Sequence, residues 1–414
     1  MSQKRRQVLR FVVPFPRTNR EERQVGGIRP SPGETILMIL DQVDKPRAVV
    51  GSTSSPAASA DTLKFGNNDG FQTEVRRRVD DYFRRTGRRQ RDCPKMYLKT
   101  ALIFAWLLGS YVLLVFMATA WWQCLLLAVS VGLAVSGVGF SVQHDGGHHG
   151  YSNYSWINKL AAMSLDLIGG SSYLWHWKHA VFHHTFVNVT GHDSDIDLGN
   201  LARLTPHQKR LGFHRFQHFY LWPLYGFLSI KWQLLDDFHD AIVGHICGRR
   251  IPRPKGWDLV VFLGGKLLFL SLIFVIPMLF NPVWAVLLLF GVVSVVVGVT
   301  LSVVFQLAHC VGEADFPMPE AATGRIEQAW AVHQVETTVN FSRRSKLICW
   351  FVGGLNFQIE HHLFPRICHV NYPAISKVVE ETCREFGVRY VDHGSFGAGV
   401  ASHYRWLRQM GTED

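Results

Sequence analysis

Four long apolar runs, arranged as two close pairs, limit this chain to very few architectures. Thr100 to Trp122 carries no charged residue and leads directly into Gln123 to Val142, which carries none either. Leu259 to Phe280 and Val283 to Phe305 form the second pair, separated only by Asn281 and Pro282. At about 1.5 Å of rise per residue, each run has about the length needed to cross a hydrocarbon core of roughly 30 Å. Helices buried in a large soluble core keep a polar stripe, which these runs lack. The expectation is an all-α integral membrane protein with four transmembrane helices, at about 100–122, 123–142, 259–280 and 283–305. Lys266 stands about two turns inside the third run and is expected to snorkel to the interface.

The basic residues give an orientation. The links inside each pair carry no Lys or Arg, whereas the N-terminal segment, the long loop from His144 to Trp257 and the region after His309 all do. The positive-inside rule then places both termini and that loop in the cytosol. Of the net charge of +11, residues 1–99 supply 21 Lys plus Arg against 11 Asp plus Glu, so the excess lies before the first span. This distribution fits a membrane surface and excludes nucleic acid as a partner. Residues 1–70, with their Pro, Gly and Ser, read as a weakly ordered basic extension. Val75 to Arg91, with Val79, Tyr82 and Phe83 among the arginines, reads as an amphipathic helix on an anionic leaflet. The start is not a secretory signal, since its apolar stretch is short and interrupted by Arg10. Seven cysteines without C-x-x-C spacing fit a reducing compartment and neither disulfides nor a thiolate metal site.

Just outside these runs stand three histidine boxes. They are HDGGHH (His144, His148, His149), HAVFHH (His179, His183, His184) and QIEHH (Gln358, His361, His362), with His309 at the end of the fourth run. Neutral imidazole is a strong ligand for transition metals. On a helix, residues i and i+4 share a face, so His144 with His148 and His179 with His183 can each converge, while the second histidine of a doublet turns toward a neighbouring point. One box alone is a weak motif, but an even number of spans puts all three on one membrane face. So many nitrogens exceed the three or four ligands of a zinc site, so two metals are the simpler arithmetic. A dioxygen-using iron pair adds the redox chemistry that zinc lacks.

The order HDGGHHGYSN, WHWKHAVFHHTFVN with GHDSDIDLG, and GGLNFQIEHHLFPRICHVNYP resembles the membrane fatty acid desaturases. The likeness is to their front-end and acyl-lipid or linoleoyl-CoA type branch, and runs from about Phe71 to Tyr390. It implies a desaturase domain over 71–390, followed by a tail at 391–414. The implied fold is four transmembrane helices under a cytosolic helical cap that holds a di-iron centre, in a bacterial inner membrane or the endoplasmic reticulum. Carried over by position, it makes His144, His148, His179, His183, His184, His361 and His362 the ligands, with Gln358 a weaker partner and His309 the extra histidine after the last span. In the first box His148 and His149 both remain candidates. Asn188 matches a position that is commonly Asn and can hold a hydrogen bond behind the ligands. The HPGG motif of a fused cytochrome b5 domain is not found, so the resemblance implies an external donor of the cytochrome b5 or ferredoxin type.

The implied reaction is O2-dependent removal of two hydrogens from a long acyl chain, carried as a lipid or a CoA ester. The same ligands would also serve a hydroxylase, ketolase or epoxidase. A zinc-dependent membrane lipid hydrolase is the alternative from another class, and a transporter would place its ligands inside the spans. Tyr173, Trp175 and Trp177 read either as a substrate tunnel or, preferably, as an interfacial belt. Asp193, Asp195 and Asp197 read equally as ligand-orienting groups or as a solvated turn. His176 is either a donor behind the ligands or a solvent-facing loop residue, and His207, His214, His218, His239 and His245 read as surface residues.

Overall fold

The computed structural model describes residues 63–67 and 70–413, so the extension expected at 1–70 lies largely outside the described residues. Among the described residues, four helices are long and apolar enough to cross a membrane: Pro94–Met117, Trp121–Gly147, Trp257–Met278 and Val283–His309. Their outer faces leave large apolar side chains uncovered, among them Trp121 at 78%, Leu267 at 70% and Trp284 at 70% exposure. Contiguous apolar surface of this kind is costly in water and ordinary against lipid tails.

The first pair turns at 118–120, before Trp121 and not after Trp122. Ala118 and Ala120 are extended, and the Gln123 side chain accepts the free N–H groups of Thr119 and Ala120 at 3.2 and 3.1 Å. That cap assigns both tryptophans to the second span. The second and fourth spans also run past their expected ends, which brings His144 and His309 into their final turns. Glycines set the packing. A methyl group at Gly132 would stand 2.8 Å from Val296 Cβ, and one at Gly298 would stand 2.4 Å from Tyr225 O. The fourth span is thus held close to the second span and to helix Gln217–Lys231.

Three expectations change. Helix Phe71–Thr86 buries Phe71, Val75, Val79 and Phe83 against Ile375, Val379 and Cys383 of helix Tyr372–Phe386. Its apolar stripe faces protein, so only its charged face remains free to meet a leaflet. Residues after 391 are more than a tail: Asp392–His393 pairs in parallel with Asn340–Phe341, and helix Phe396–Thr412 places Trp406, Leu407 and Met410 in one apolar core with Leu204, Tyr225 and Leu307. Lys266 does not snorkel. Its ammonium is buried and donates to Asp237 Oδ2 at 2.8 Å, Gly169 O at 2.6 Å and Gln233 O at 2.7 Å, which satisfies all three N–H groups.

Candidate metal centre

The boxes occupy unusual helix. Val138–Gln143 widens into a π-helix just before His144, and His176–His183 is a second π-helical stretch that leads into His184–Phe186. Such wide turns are rare and concentrate at functional sites, because they redirect the side chains that follow. The third box is the short helix Gln358–Leu363.

From these elements the rings form two adjoining groups. The ligand nitrogens of His144, His148, His179 and His361 lie within 4.8 Å of one another, and so do those of His183, His309 and His362. His184 joins the two groups, since it lies within the same limit of both His361 and His362. The doublets supply both sides. His183 and His184 stand with ring planes 87° apart, and His361 and His362 with planes 78° apart, so the rings of each doublet face different neighbours: His361 enters the first group, His183 and His362 the second, and His184 lies between. His149 joins neither group. Its backbone turns left-handed at φ 59° and its side chain is exposed, so the H-x-x-x-H partner of His144 is His148. Gln358 is buried with its Oε1 unpartnered, three residues before His361 on that helix.

Unmade hydrogen bonds point the same way. His148 Nε2, His183 Nε2, His362 Nε2 and both nitrogens of His309 are buried without a partner. Each such group costs about 1–3 kcal/mol if left unsatisfied, and a cation in each group would take up one nitrogen of each of these rings. The opposite ring nitrogens are mostly held. His183 Nδ1 meets Asp193 at 2.9 Å, His179 Nδ1 meets Asp195 at 3.2 Å, His362 Nδ1 meets Gln334 Oε1 at 2.9 Å, and His361 Nδ1 meets the Tyr372 hydroxyl at 3.2 Å. This is the pattern of an imidazole that donates outward and keeps its inner lone pair for a metal.

Protonation agrees with that role. Burial, reinforced by the neighbouring imidazoles, holds His148, His184, His361 and His362 well below the ordinary histidine range, and holds His183 at about 3. These rings are therefore neutral at pH 7, as ligation requires. Burial pushes the Asp193 carboxyl up to about 6 against the pull of the Asp195 and Asn188 backbone N–H groups.

Several finer readings can be assigned. Asp193 and Asp195 hold the rings of His183 and His179, whereas Asp197 is an exposed turn residue that accepts from Gly199 N–H. Asn188, at φ 57°, pins the end of the fourth span: its amide donates to His309 O at 2.9 Å and Thr337 O at 3.2 Å. Trp175 stacks on His179 at 4.7 Å and meets His148 at 5.1 Å, so it borders the centre. Tyr173 bonds Pro252 O, and Trp177 packs on Phe182. His176 is half-buried beside Trp177. His207, His239 and His245 are exposed as expected, but His214 and His218 are buried, the former through a bond to Asn200 O. Gln334 and Tyr372 were not visible in the sequence, because neither lies in or next to a box.

The comparisons converge with this geometry. The family model described as fatty acid desaturase matches residues 119–394. A sn-1 linoleoyl-lipid 6-desaturase of Arthrospira platensis is 39% identical over 350 residues, covering 84% of this chain and 94% of that protein. The protein of the same name from Synechocystis is 37% identical over 354 residues, covering 85% and 99%. An acyl-lipid (8-3)-desaturase of Physcomitrium patens is 37% identical over 359 residues, covering 85% and 74%. The matched region contains all three boxes and all four groups that hold their rings, and on this evidence the chain belongs to the fatty acid desaturase family.

Proposed function

We propose that the chain introduces a double bond into a long acyl chain with dioxygen and two irons, drawing electrons from a separate carrier of the cytochrome b5 or ferredoxin type. One observation carries the reading: two adjoining groups of imidazoles, His144, His148, His179 and His361 on one side and His183, His309 and His362 on the other, are linked through His184, which lies close to both His361 and His362. His144, His148, His179 and His361 would hold one iron, and His183, His309 and His362 the other, with His184 between them and Gln358 nearby. An iron pair supplies the oxidising power to remove hydrogen from an unactivated methylene, which acid–base groups cannot do.

The rest is done by the protein. Asp193, Asp195, Gln334 and Tyr372 fix the ring orientations. Trp175 closes one side of the centre and excludes water from it. Apolar walls hold the acyl chain at about 0.8 kcal/mol for each buried methylene. With a cytosolic N-terminus, the even number of spans returns every box to the cytosolic face, under a cap built from the segments between and after the spans. The relatives named for lipid-linked linoleoyl chains favour a lipid-linked substrate over a free acid. Expression in a host with simple fatty acids, followed by mass spectrometry of the lipids, tests the reading. Wild type gives products two hydrogens lighter and His361→Ala gives none; identical profiles from the two refute it.

A further inference from the structure

Arg91 and Arg366 come from distant parts of the chain, yet backbone contacts bind their segments together. Cys368 N–H donates to Gln90 O at 2.9 Å, and Asp92 N–H donates to Tyr151 O at 3.0 Å. A methyl group at Gly150 would stand 3.0 Å from Pro365 O and 3.5 Å from Arg366 C, so the loop that follows the first box rests on 365–367. On that loop is His149, exposed and left-handed, which the metal centre does not use.

The guanidinium groups lack a counter-charge. Asp92 is the adjacent carboxylate, but its oxygens are taken by Ser152 Oγ, Asn153 N–H and the Tyr97 hydroxyl. Among the described residues neither arginine side chain has a carboxylate partner, and Arg91 Nε is buried with no hydrogen bond at all. Burial and the charge of Arg91 hold Arg366 below the ordinary guanidinium range, and burial together with the charges of Arg366 and Arg91 lowers His149. Two like charges held together without an anion are unfavourable, and a phosphate relieves the arrangement through the forked geometry that guanidinium offers.

The position is also specific. His149 follows His148 directly, and Gly147 lies against Trp175, where a methyl group would meet the indole at 2.2 Å. His149 therefore stands one residue outside the rings of the centre, on the loop that packs against the backbone of Pro365 and Arg366.

We propose that Arg91 and Arg366, with the neighbouring His149, bind the phosphate of the acyl carrier and anchor the carboxyl end of the substrate at the rim of the metal centre. The carrier is either a phospholipid or coenzyme A. The proposal rests on the desaturase reading and adds the group that places the chain against the metals. Losing the anchor raises KM more than it lowers kcat, because the cluster does not touch the reacting carbons.

Calorimetry on the purified, iron-loaded full chain in detergent tests it. The probes are dioctanoyl phosphatidic acid and octanoyl-CoA, with dioctanoylglycerol as the uncharged control. Wild type is expected to bind one of the phosphate probes at least tenfold more tightly than Arg91→Gln/Arg366→Gln, with affinity that falls as salt rises. The control binds both proteins alike, and the probe with the larger difference identifies the carrier. Equal affinity of the two proteins for both phosphate probes overturns the proposal. Matching iron content establishes that the double variant is folded. Should it fail to load iron, Arg366→Gln alone, at an exposed position, is expected to lose at least threefold, and an unchanged affinity there overturns the proposal. Binding is read without turnover, so an inactive wild type would count against the desaturase reading and leave this comparison intact.

Discussion

Asp193 Oδ2 lies 2.9 Å from His183 Nδ1, and neither side chain reaches solvent. The same oxygen accepts the Asn188 backbone N–H at 3.0 Å, so one carboxylate fixes both the His183 ring and the turn that pins the end of the fourth span. Asp193→Asn removes the charge while keeping the volume. It is expected to lower iron affinity about 10–100-fold, the usual effect of losing a carboxylate behind a ligand imidazole. Competition with a calibrated chelator measures it, and an unchanged affinity would show that Asp193 only shapes the turn.

His309 and His184 differ in what they support. His309 belongs to one group, whereas His184 lies within reach of both His361 and His362. His309→Ala is expected to lower iron content from roughly two per chain toward one, while His184→Ala lowers it further. Elemental analysis of the purified variants distinguishes them, and equal losses would contradict the two-group arrangement.

Lys266 and Asp237 form a buried ion pair at 2.8 Å beside the third span. Burial pushes Asp237 up to about 6 even against the attraction of Lys266. Lys266→Ala leaves an uncompensated carboxylate and is expected to destabilise the protein by about 3–5 kcal/mol, whereas Lys266→Met/Asp237→Leu recovers most of that. Thermal unfolding in detergent reads both, and a single variant as stable as wild type would show that water reaches the pair.

His403 provides a pH test away from the metal centre. It is fully buried, bonds the Tyr225 hydroxyl and Cys310 O at 2.7 Å each, and is held at about 4 by burial. A histidine whose folded value is depressed stays neutral in the folded chain while the unfolded chain takes up a proton. Stability therefore falls as pH drops from about 6.5 toward 4, by up to roughly 3 kcal/mol. In iron-loaded protein, His403→Asn should be less stable at pH 7 and flatter over that window. An unchanged slope would place the acid sensitivity elsewhere.

The sequence carried the spans and the boxes clearly, because a charge-free run of membrane length and a metal-binding cluster are both local patterns. It carried the turn of the first pair less well: Trp121 and Trp122 extend the apolar run, and only the capping by Gln123 separates the helices. The choice between His148 and His149 was hidden in a single backbone angle. Gln334 and Tyr372 were invisible, because their role depends on helices far apart in the chain meeting behind His362 and His361. The fates of Lys266 and of the stripe on Phe71–Thr86 likewise depended on tertiary partners, Asp237 in one case and Val379 in the other, that no local pattern announces.

Anomalous diffraction at the iron absorption edge, from crystals of the iron-loaded protein, tests the central claim most directly. The account predicts two separate peaks, one bonded by His144, His148, His179 and His361 and the other by His183, His309 and His362, at about 2.1 Å from the ring nitrogens. A single peak, or a signal at the zinc edge in place of the iron edge, would contradict it.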